Sequence, residues 1–308
     1  MKINKKINLN LTQYSGQTSQ APWIDINNQF QDLIFVNNNP ILVKLSQDDN
    51  NSLNFDYELP LNSNFEIKTK EIEKKIFEIY DLSFDLDKFY KQLDNDEKLY
   101  ELKDFCNGLR LFLAKDKFEA IISSISSSNN SIARWTKSTN QIKKIWGKEY
   151  EFSIGKFYSF PNLEILRNSY EDNTEDVENC GNTLKSCGVG YRSSYIKKTC
   201  EFFKNSDNFD DISKMSYDEA FKYIQEVPGV GPKVADCILL YGFNFKEAFP
   251  SDLWIKRIIS HIYFDDEDIS VKKVREFGLE NFKNNAGYIQ LYLFHYARKS
   301  GLMEKLRK

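Results

Sequence analysis

The spacing of apolar positions changes character near Lys68. Before it, INLNLTQY, DLIFV, PILVKL and LNFDYEL are short strand-like segments cut by asparagine-rich turns, NNNP and QDDNN, a pattern that predicts a small antiparallel sheet over residues 7–60. After it, IEKKIFEIYDL, DKFYKQL and DEKLYELKDFCNGLRLFL carry helical spacing. KFEAIISSISSSNN reads as a helix ending at its asparagines, and SIARWTKSTNQIKKIWG as another capped by Ser131. An extended piece, EFSIGKFYSF, interrupts before NLEILRN, the acidic loop EDNTEDVEN and the helical GVGYRSSYIKKTCEFFKN. SYDEAFKYIQEV is a helix with Ser216 as cap and acids in its first turn. The predicted class is α+β: an N-terminal twisted antiparallel sheet with trailing helices over 1–112, then a mostly α-helical two-lobed region divided into 113–226 and 227–308.

Composition narrows the class. With 308 residues and 41% apolar positions the chain has the make-up of a folded globular protein. No apolar run reaches the roughly 18 residues of a membrane span, and MKINKKINLNLTQY does not resemble a secretory signal, so an intracellular location is expected. Five cysteines, Cys106, Cys180, Cys187, Cys200 and Cys237, form no CxxC pair and read as thiols rather than disulfides or a zinc site. The net charge of −3 is uneven: residues 227–308 hold 13 Lys+Arg against 10 Asp+Glu, a net of +3, leaving −6 for the rest. A charged ligand responds to the local balance rather than to the sum.

The chemistry concentrates in VPGVGPKVADCILLYG, residues 227–242. Pro228 breaks the preceding helix, each glycine permits positive φ, and Pro232 suits the first turn of the next helix, so the segment is a hairpin between two helices. The helix of Val234, Ala235, Ile238, Leu239 and Leu240 is expected to end near Gly242, as its C′ residue. Glycines without side chains let backbone N–H groups approach a phosphate, which makes Gly229, Gly231 and Val234 candidate contacts to a nucleic-acid backbone. Lys233 lies one residue inside that helix start, and Asp252, in a Pro-Ser-Asp turn 19 residues on, is placed to cap LWIKRIISHIY. Taken singly, these residues read as a solvated lysine and a simple cap.

Together the lysine and aspartate resemble the helix-hairpin-helix DNA glycosylases and lyases, and GVGPKVADC resembles in particular the 8-oxoguanine DNA glycosylase family. The resemblance implies a bifunctional enzyme of base excision repair, a glycosylase and lyase that flips 8-oxoguanine out of duplex DNA opposite cytosine. It implies Lys233 as nucleophile at the deoxyribose C1′ and Asp252 facing the same carbon. A lysine at its free pKa of about 10.4 cannot attack at neutral pH, and burial beside Val234 and Cys237 is expected to lower it. SSSNNSIAR, residues 126–134, resembles the family's SSNNNIAR, which carries over Asn129 as filler of the gap left by the base and Arg134 as a reader of the orphaned cytosine. GVGYRSSY resembles GLGYRARY, making Tyr191 a wedge and Arg192 a second reader. YIQLYLF implies Gln290 at the base edge and Phe294 on one face, with Cys237 on the other. SGQ at 15–17 implies Gly16 as a carbonyl acceptor for the N7–H of 8-oxoguanine.

The sequence departs from the family at Thr18-Ser19-Gln20, where a Phe-Arg-Trp run is usual, and at Trp254, where some members have a phosphate-touching histidine. The iron–sulfur cysteines of the sister endonuclease III branch do not follow Cys237 here. The resemblance implies no cofactor for chemistry, beyond a cation bridging hairpin carbonyls to a phosphate. It implies 8-oxoguanine-containing duplex DNA as partner to a monomer, with no membrane, in the cytoplasm (nucleoid-associated if bacterial) or the nucleus. Two rivals use the same residues: an alkylated-base glycosylase, which would need Asp252 but not Lys233, and a non-catalytic hairpin module that grips DNA or protein.

Overall fold

Five strands, β1 (Lys2–Ile3), β2 (Ile24–Ile26), β3 (Gln29–Val36), β4 (Asn39–Gln47) and β5 (Leu53–Glu58), form an antiparallel sheet of order β1-β5-β4-β3-β2. The NNNP turn sets its centre, because Asn37 and Asn38 take φ of 50° and 63°, the mirror-image turn that a two-residue hairpin favours. That turn fixes the pairing of β3 with β4 from Phe30 opposite Leu45 to Val36 opposite Asn39. Side chains alternate accordingly. Ile34, Ile41, Val43 and Phe55 bury one face together with Ile72, Ile76 and Ile79 of helix Thr69–Ile79. Leu33 and Leu42 point to the other, where Phe152 and Phe157 cover them. Those two phenylalanines belong to the hairpin of β6 (Glu149–Phe152) and β7 (Gly155–Tyr158), which is what the extended EFSIGKFYSF segment becomes.

The structure, a computed structural model, describes residues 1–48, 52–169, 182–205 and 209–306. The acidic stretch EDNTEDVEN, Cys180 and residues 49–51 of the QDDNN turn lie outside the described residues.

Three local expectations are corrected. INLNLTQY contributes a helix, Leu9–Gln13, rather than a strand, because Asn8 caps it through the Leu11 N–H at 2.9 Å and Leu9, Thr12 and Gln13 share its buried face. The helical pattern of DEKLYELKDFCNGLRLFL stops at Phe105. Gly108, at φ 82° with the Asn8 backbone only 2.6 Å from where a Cβ would sit, turns the chain out of the helical path there. The helix ends near Gly242 as expected, in wider turns over Ile238–Gly242, but the glycine is not its C′ residue: the left-handed position beyond the end is taken by Asn244, at φ 62°. The glycine serves close packing instead, with Ala120 Cβ 3.3 Å from its missing Cβ.

The remaining helices share one apolar core that runs from Leu86 to Ala297. Helix Lys117–Ser127 lies deep in it, every residue from Phe118 to Ser127 buried. Ser131 caps helix Ile132–Trp146 through the Arg134 N–H at 3.3 Å. Ser216 and Glu219 form a reciprocal capping box at the start of helix Tyr217–Gln225. Of two buried ion pairs, Lys115 with Asp32 of β3 ties the sheet to the segment entering helix Lys117–Ser127, and Lys143 with Glu119, at 2.6 Å, joins that helix to helix Ile132–Trp146. The Ala114 N–H donates to the Tyr241 carbonyl at 2.8 Å, joining the segment before helix Lys117–Ser127 to the helical run that carries Lys233.

Candidate active site

The hairpin forms as the sequence predicts, between helix Tyr217–Gln225 and helix Pro232–Cys237, with Pro232 in the first turn of the second. Of its two glycines only Gly229 uses positive φ, at 86°, and a Cβ there would lie 2.4 Å from Cγ of Tyr195. Gly231 sits at φ −87° with open space around it, so its value lies in leaving the surface bare rather than in its dihedral. The N–H groups of Gly231, Lys233 and Val234 belong to the helix start, where no intrahelical carbonyl can reach them.

Lys233 and Cys237 are four residues apart on one helix face, and both line the same cavity. Asp252 approaches from the start of helix Leu253–Tyr263, which it caps: its Oδ1 accepts the N–H groups of Trp254 and Ile255, both at 2.9 Å, and its other oxygen takes no part in the cap. Burial is the largest influence on Lys233 and acts downward, but the Cys237 sulfur and the Asp252 carboxylate act upward and hold the amine above its ordinary pKa. The expectation of a lowered lysine is therefore corrected. Apolar neighbours alone suggested it, and the two polar ones reverse it. The Cys237 thiol is pushed up as well, chiefly by burial, so at neutral pH the pair rests as ammonium and thiol.

Six residues predicted from distant parts of the sequence, Gly16, Lys233, Cys237, Asp252, Gln290 and Phe294, line one small cavity of about 60 Å³. That space admits a few waters, so an entering purine must displace them and widen it. Gln290 is buried, and its Oε1 has no hydrogen-bond partner. Gly16 takes φ 87°, and a side chain there would collide with Ile132 Cδ1 at 2.4 Å. The departure that follows it is built in: Thr18 bonds Ser124 at 3.0 Å, Ser19 donates to the Phe112 carbonyl, and Gln20 donates to the Leu113 carbonyl at 2.7 Å. Ser19 and Gln20 thus tether this wall to the backbone at 112–113, and Thr18 tethers it to helix Lys117–Ser127.

A wider groove of about 710 Å³ adjoins the cavity, shares Gly16, Lys233, Asp252 and Phe294 with it, and extends to Asn129, Arg134 and Trp254. Asn129 and Arg134 are exposed, and Asn129 holds a left-handed φ of 46°. Tyr191 is 58% exposed, as a wedge requires. Arg192 differs from expectation. It is only 7% exposed and donates to the carbonyls of Ser128, Asn129 and Val189, the last two at 3.1 Å, while lying over the Tyr191 ring at 4.4 Å. In the free chain its guanidinium holds the Asn129 turn instead of facing the groove. A larger cavity, about 1200 Å³, opens beside Lys70, Phe84 and Lys246, but none of the predicted residues lines it. Convergence of polar groups marks a reactive site better than volume does.

Sequence reasoning missed what braces the hairpin. Asp236, fully buried, accepts from Arg275 at 2.6 and 3.1 Å and from the Tyr217 hydroxyl at 2.5 Å, and Arg275 lies 3.8 Å from the centre of the Phe221 ring. The network fastens both hairpin helices to helix Val271–Phe282. Its signal was in VADCILL: an aspartate among residues that want burial demands a buried cationic partner.

Residues 1–121 match the family model of the 8-oxoguanine DNA glycosylase N-terminal domain, and residues 122–284 that of the HhH-GPD superfamily of base excision DNA repair proteins. The probable N-glycosylase/DNA lyase of Methanothermobacter thermautotrophicus is 40% identical over 97% of this chain and 96% of its own. Among solved structures, the Clostridium acetobutylicum 8-oxoguanine glycosylase/lyase, in complex with double-stranded DNA containing cytosine opposite 8-oxoguanine, superposes with a TM-score of 0.79 at 27% identity over 98% of each chain. The 3-methyladenine DNA glycosylase of Archaeoglobus fulgidus superposes with a TM-score of 0.76 at 24% identity over 97% of each chain, a likeness of fold alone. With two adjoining family models spanning 1–284 and a relative that aligns over nearly its whole length, the chain belongs to the 8-oxoguanine DNA glycosylase family of the HhH-GPD superfamily.

Proposed function

We propose that this protein is a DNA N-glycosylase with lyase activity at abasic sites, excising 8-oxoguanine opposite cytosine. One observation carries the reading: the amine of Lys233, the carboxylate of Asp252 and four residues suited to a purine meet in one cavity although the sequence scatters them from Gly16 to Phe294. Lys233 rests as an ammonium, so the attacking amine is produced in the complex, when the entering base excludes water and a neighbouring acceptor takes the proton. The amine attacks C1′, the bond from C1′ to the base breaks, and the base leaves with the bonding pair. Asp252 stabilises the positive charge that develops on the sugar. The bound nitrogen gives up a proton and its lone pair expels O4′, which takes up a proton as the C1′–O4′ bond breaks. The resulting protonated imine of the opened sugar, after loss of a proton from C2′, releases the 3′ phosphate by β-elimination.

Extruding the base costs a few kcal/mol, offset by Tyr191 at the stack, Asn129 in the gap left by the base, Arg134 at the orphaned cytosine, and phosphate contacts at Gly229, Gly231 and Val234. Gln290 has an unpaired buried oxygen to offer the base edge, and Gly16 a carbonyl that accepts N7–H and repels the lone pair of guanine. A cation at the hairpin would rest on main-chain carbonyls, since among the described residues no cluster of His, Cys, Asp or Glu is placed to hold a metal. The protein acts as a monomer on DNA in the cytoplasm or nucleus. No helix among the described residues is long and apolar enough to cross a membrane.

Borohydride trapping on an 8-oxoguanine·cytosine duplex tests the reading. A covalent adduct is expected with this chain and not with Lys233→Gln. A yield unchanged by that substitution rejects the lysine, and its absence from the unmodified chain rejects the lyase. An alkylated-base glycosylase would leave no such adduct.

A further inference from the structure

Arg298 lines neither the cavity nor the groove, yet it touches two walls of the base pocket from behind. It stands one helical turn beyond Phe294 on helix Ala286–Lys299, with its guanidinium carbon 5.6 Å from the centre of the Phe294 ring. Its Nη2 donates to the Tyr14 carbonyl at 3.0 Å. Its Nη1 fills the space that a side chain on Gly16 would need, 2.8 Å from the missing Cβ. Its Nε is buried without an acceptor, and among the described residues no carboxylate pairs with it. A partly buried cation lacking a counter-charge is an expensive way to fill space. An aliphatic side chain would fill it without that penalty, so what the guanidinium adds is its flat shape and fixed donors.

We propose that Arg298 is a positioning residue for base recognition, joining the Tyr14–Gly16 backbone to Phe294 so that acceptor carbonyl and stacking face are held at one spacing. The inference rests on the 8-oxoguanine reading and deepens it. Gly16 lacks a side chain and sits in a left-handed conformation, so nothing of its own fixes its carbonyl. The guanidinium supplies the missing support from behind: a planar donor can bond Tyr14 and lie against Phe294 at once, whereas a lysine ammonium can satisfy only one of the two.

The two activities separate this role from a structural one, because lyase chemistry at an abasic site needs Lys233 and Asp252 but no base. The full chain, Arg298→Met and Arg298→Lys are compared in single-turnover excision on 8-oxoguanine·cytosine DNA and in borohydride trapping on abasic·cytosine DNA. Arg298→Met should lose about tenfold in excision, the scale of a small misplacement, with trapping within about twofold of the unmodified chain. Arg298→Lys should fall between. Excision by Arg298→Met at the unmodified rate overturns the proposal, as does a parallel loss of trapping in a folded variant. If Arg298→Met fails to fold, Arg298→Lys decides alone: excision equal to the unmodified chain overturns the role, and a loss confined to excision supports it. An unmodified chain that traps abasic DNA but leaves 8-oxoguanine untouched sinks the substrate reading and this inference with it, an outcome distinct from a silent Arg298.

Discussion

Replacing Arg275 by methionine should be the most damaging single change outside the reactive groups. It deletes two hydrogen bonds to Asp236, at 2.6 and 3.1 Å, and leaves a carboxylate with no exposed surface bonded only to Tyr217. Breaking a buried ion pair from one side costs about 3–5 kcal/mol, most of it the stranded charge. The penalty should depend on pH in a defined sense. Burial already pushes Asp236 up, and Arg275 is the chief influence pulling it back. Without the arginine the folded-state pKa rises further above the unfolded value, so the lost stability is largest above the folded pKa. It shrinks as pH falls toward the unfolded value of about 3.9, by at most about 1.4 kcal/mol per pH unit. Urea unfolding followed by tryptophan fluorescence at pH 8 and pH 5.5 measures both effects. Adding Asp236→Asn to Arg275→Met removes the stranded charge and should return about 2 kcal/mol at pH 8. A loss under about 1 kcal/mol in Arg275→Met, or a double variant no more stable than the single one, would refute the reasoning.

Two further outcomes are expected. Gly16→Ala meets a φ of 87° and a Cβ 2.4 Å from Ile132; left-handed strain of about 1–2 kcal/mol and overpacking of about 1–3 kcal/mol should lower the thermal midpoint and slow excision, and an unchanged midpoint would show that the wall yields. His295 is buried with Nδ1 unpaired, and burial first, then Arg298 and Lys299, drop its pKa to about 4. A base whose folded pKa is depressed loses stability as pH falls from its unfolded value near 6.5 toward 4, on the order of 1–3 kcal/mol after allowing for solvent screening. A His295→Gln variant should flatten that slope in melts from pH 7 to 4.5, and an equal slope in both proteins would discount the histidine.

What was legible from the residues was whatever is decided within a few positions. Ser131, Ser216 with Glu219, and Asp252 each satisfy helix-start N–H groups two or three residues away, so the local string suffices to name them. The NNNP turn and the β3–β4 pairing follow from asparagines that tolerate positive φ. INLNLTQY misled because alternation and a one-turn helix put similar residues on one side, and only the Asn8 cap and the packing against distant Gly108 decide between them. The site follows the same division. Motifs placed the six cavity residues, but the state of Lys233 is a balance of burial, Cys237 and Asp252 that no one segment contains.

Arginines were the least legible, because their role is set by carbonyls and carboxylates far away in sequence. Arg110 is buried and donates to the carbonyls of Lys6, Asp81 and Phe84, Arg275 reaches back 39 positions to Asp236, and Arg192 spends its donors on a loop 63 positions earlier. This chain uses such long-range cations to hold the surfaces around its cavity. Asp236–Arg275 fastens the helix that presents Lys233, Arg192 fastens the turn that presents Asn129, and Arg298 backs the wall of Gly16 and Phe294. A preorganised site needs its reactive side chains held by neighbours whose own geometry is fixed. The planar, permanently charged guanidinium meets that need where apolar packing alone would leave a loop or a helix end free to shift.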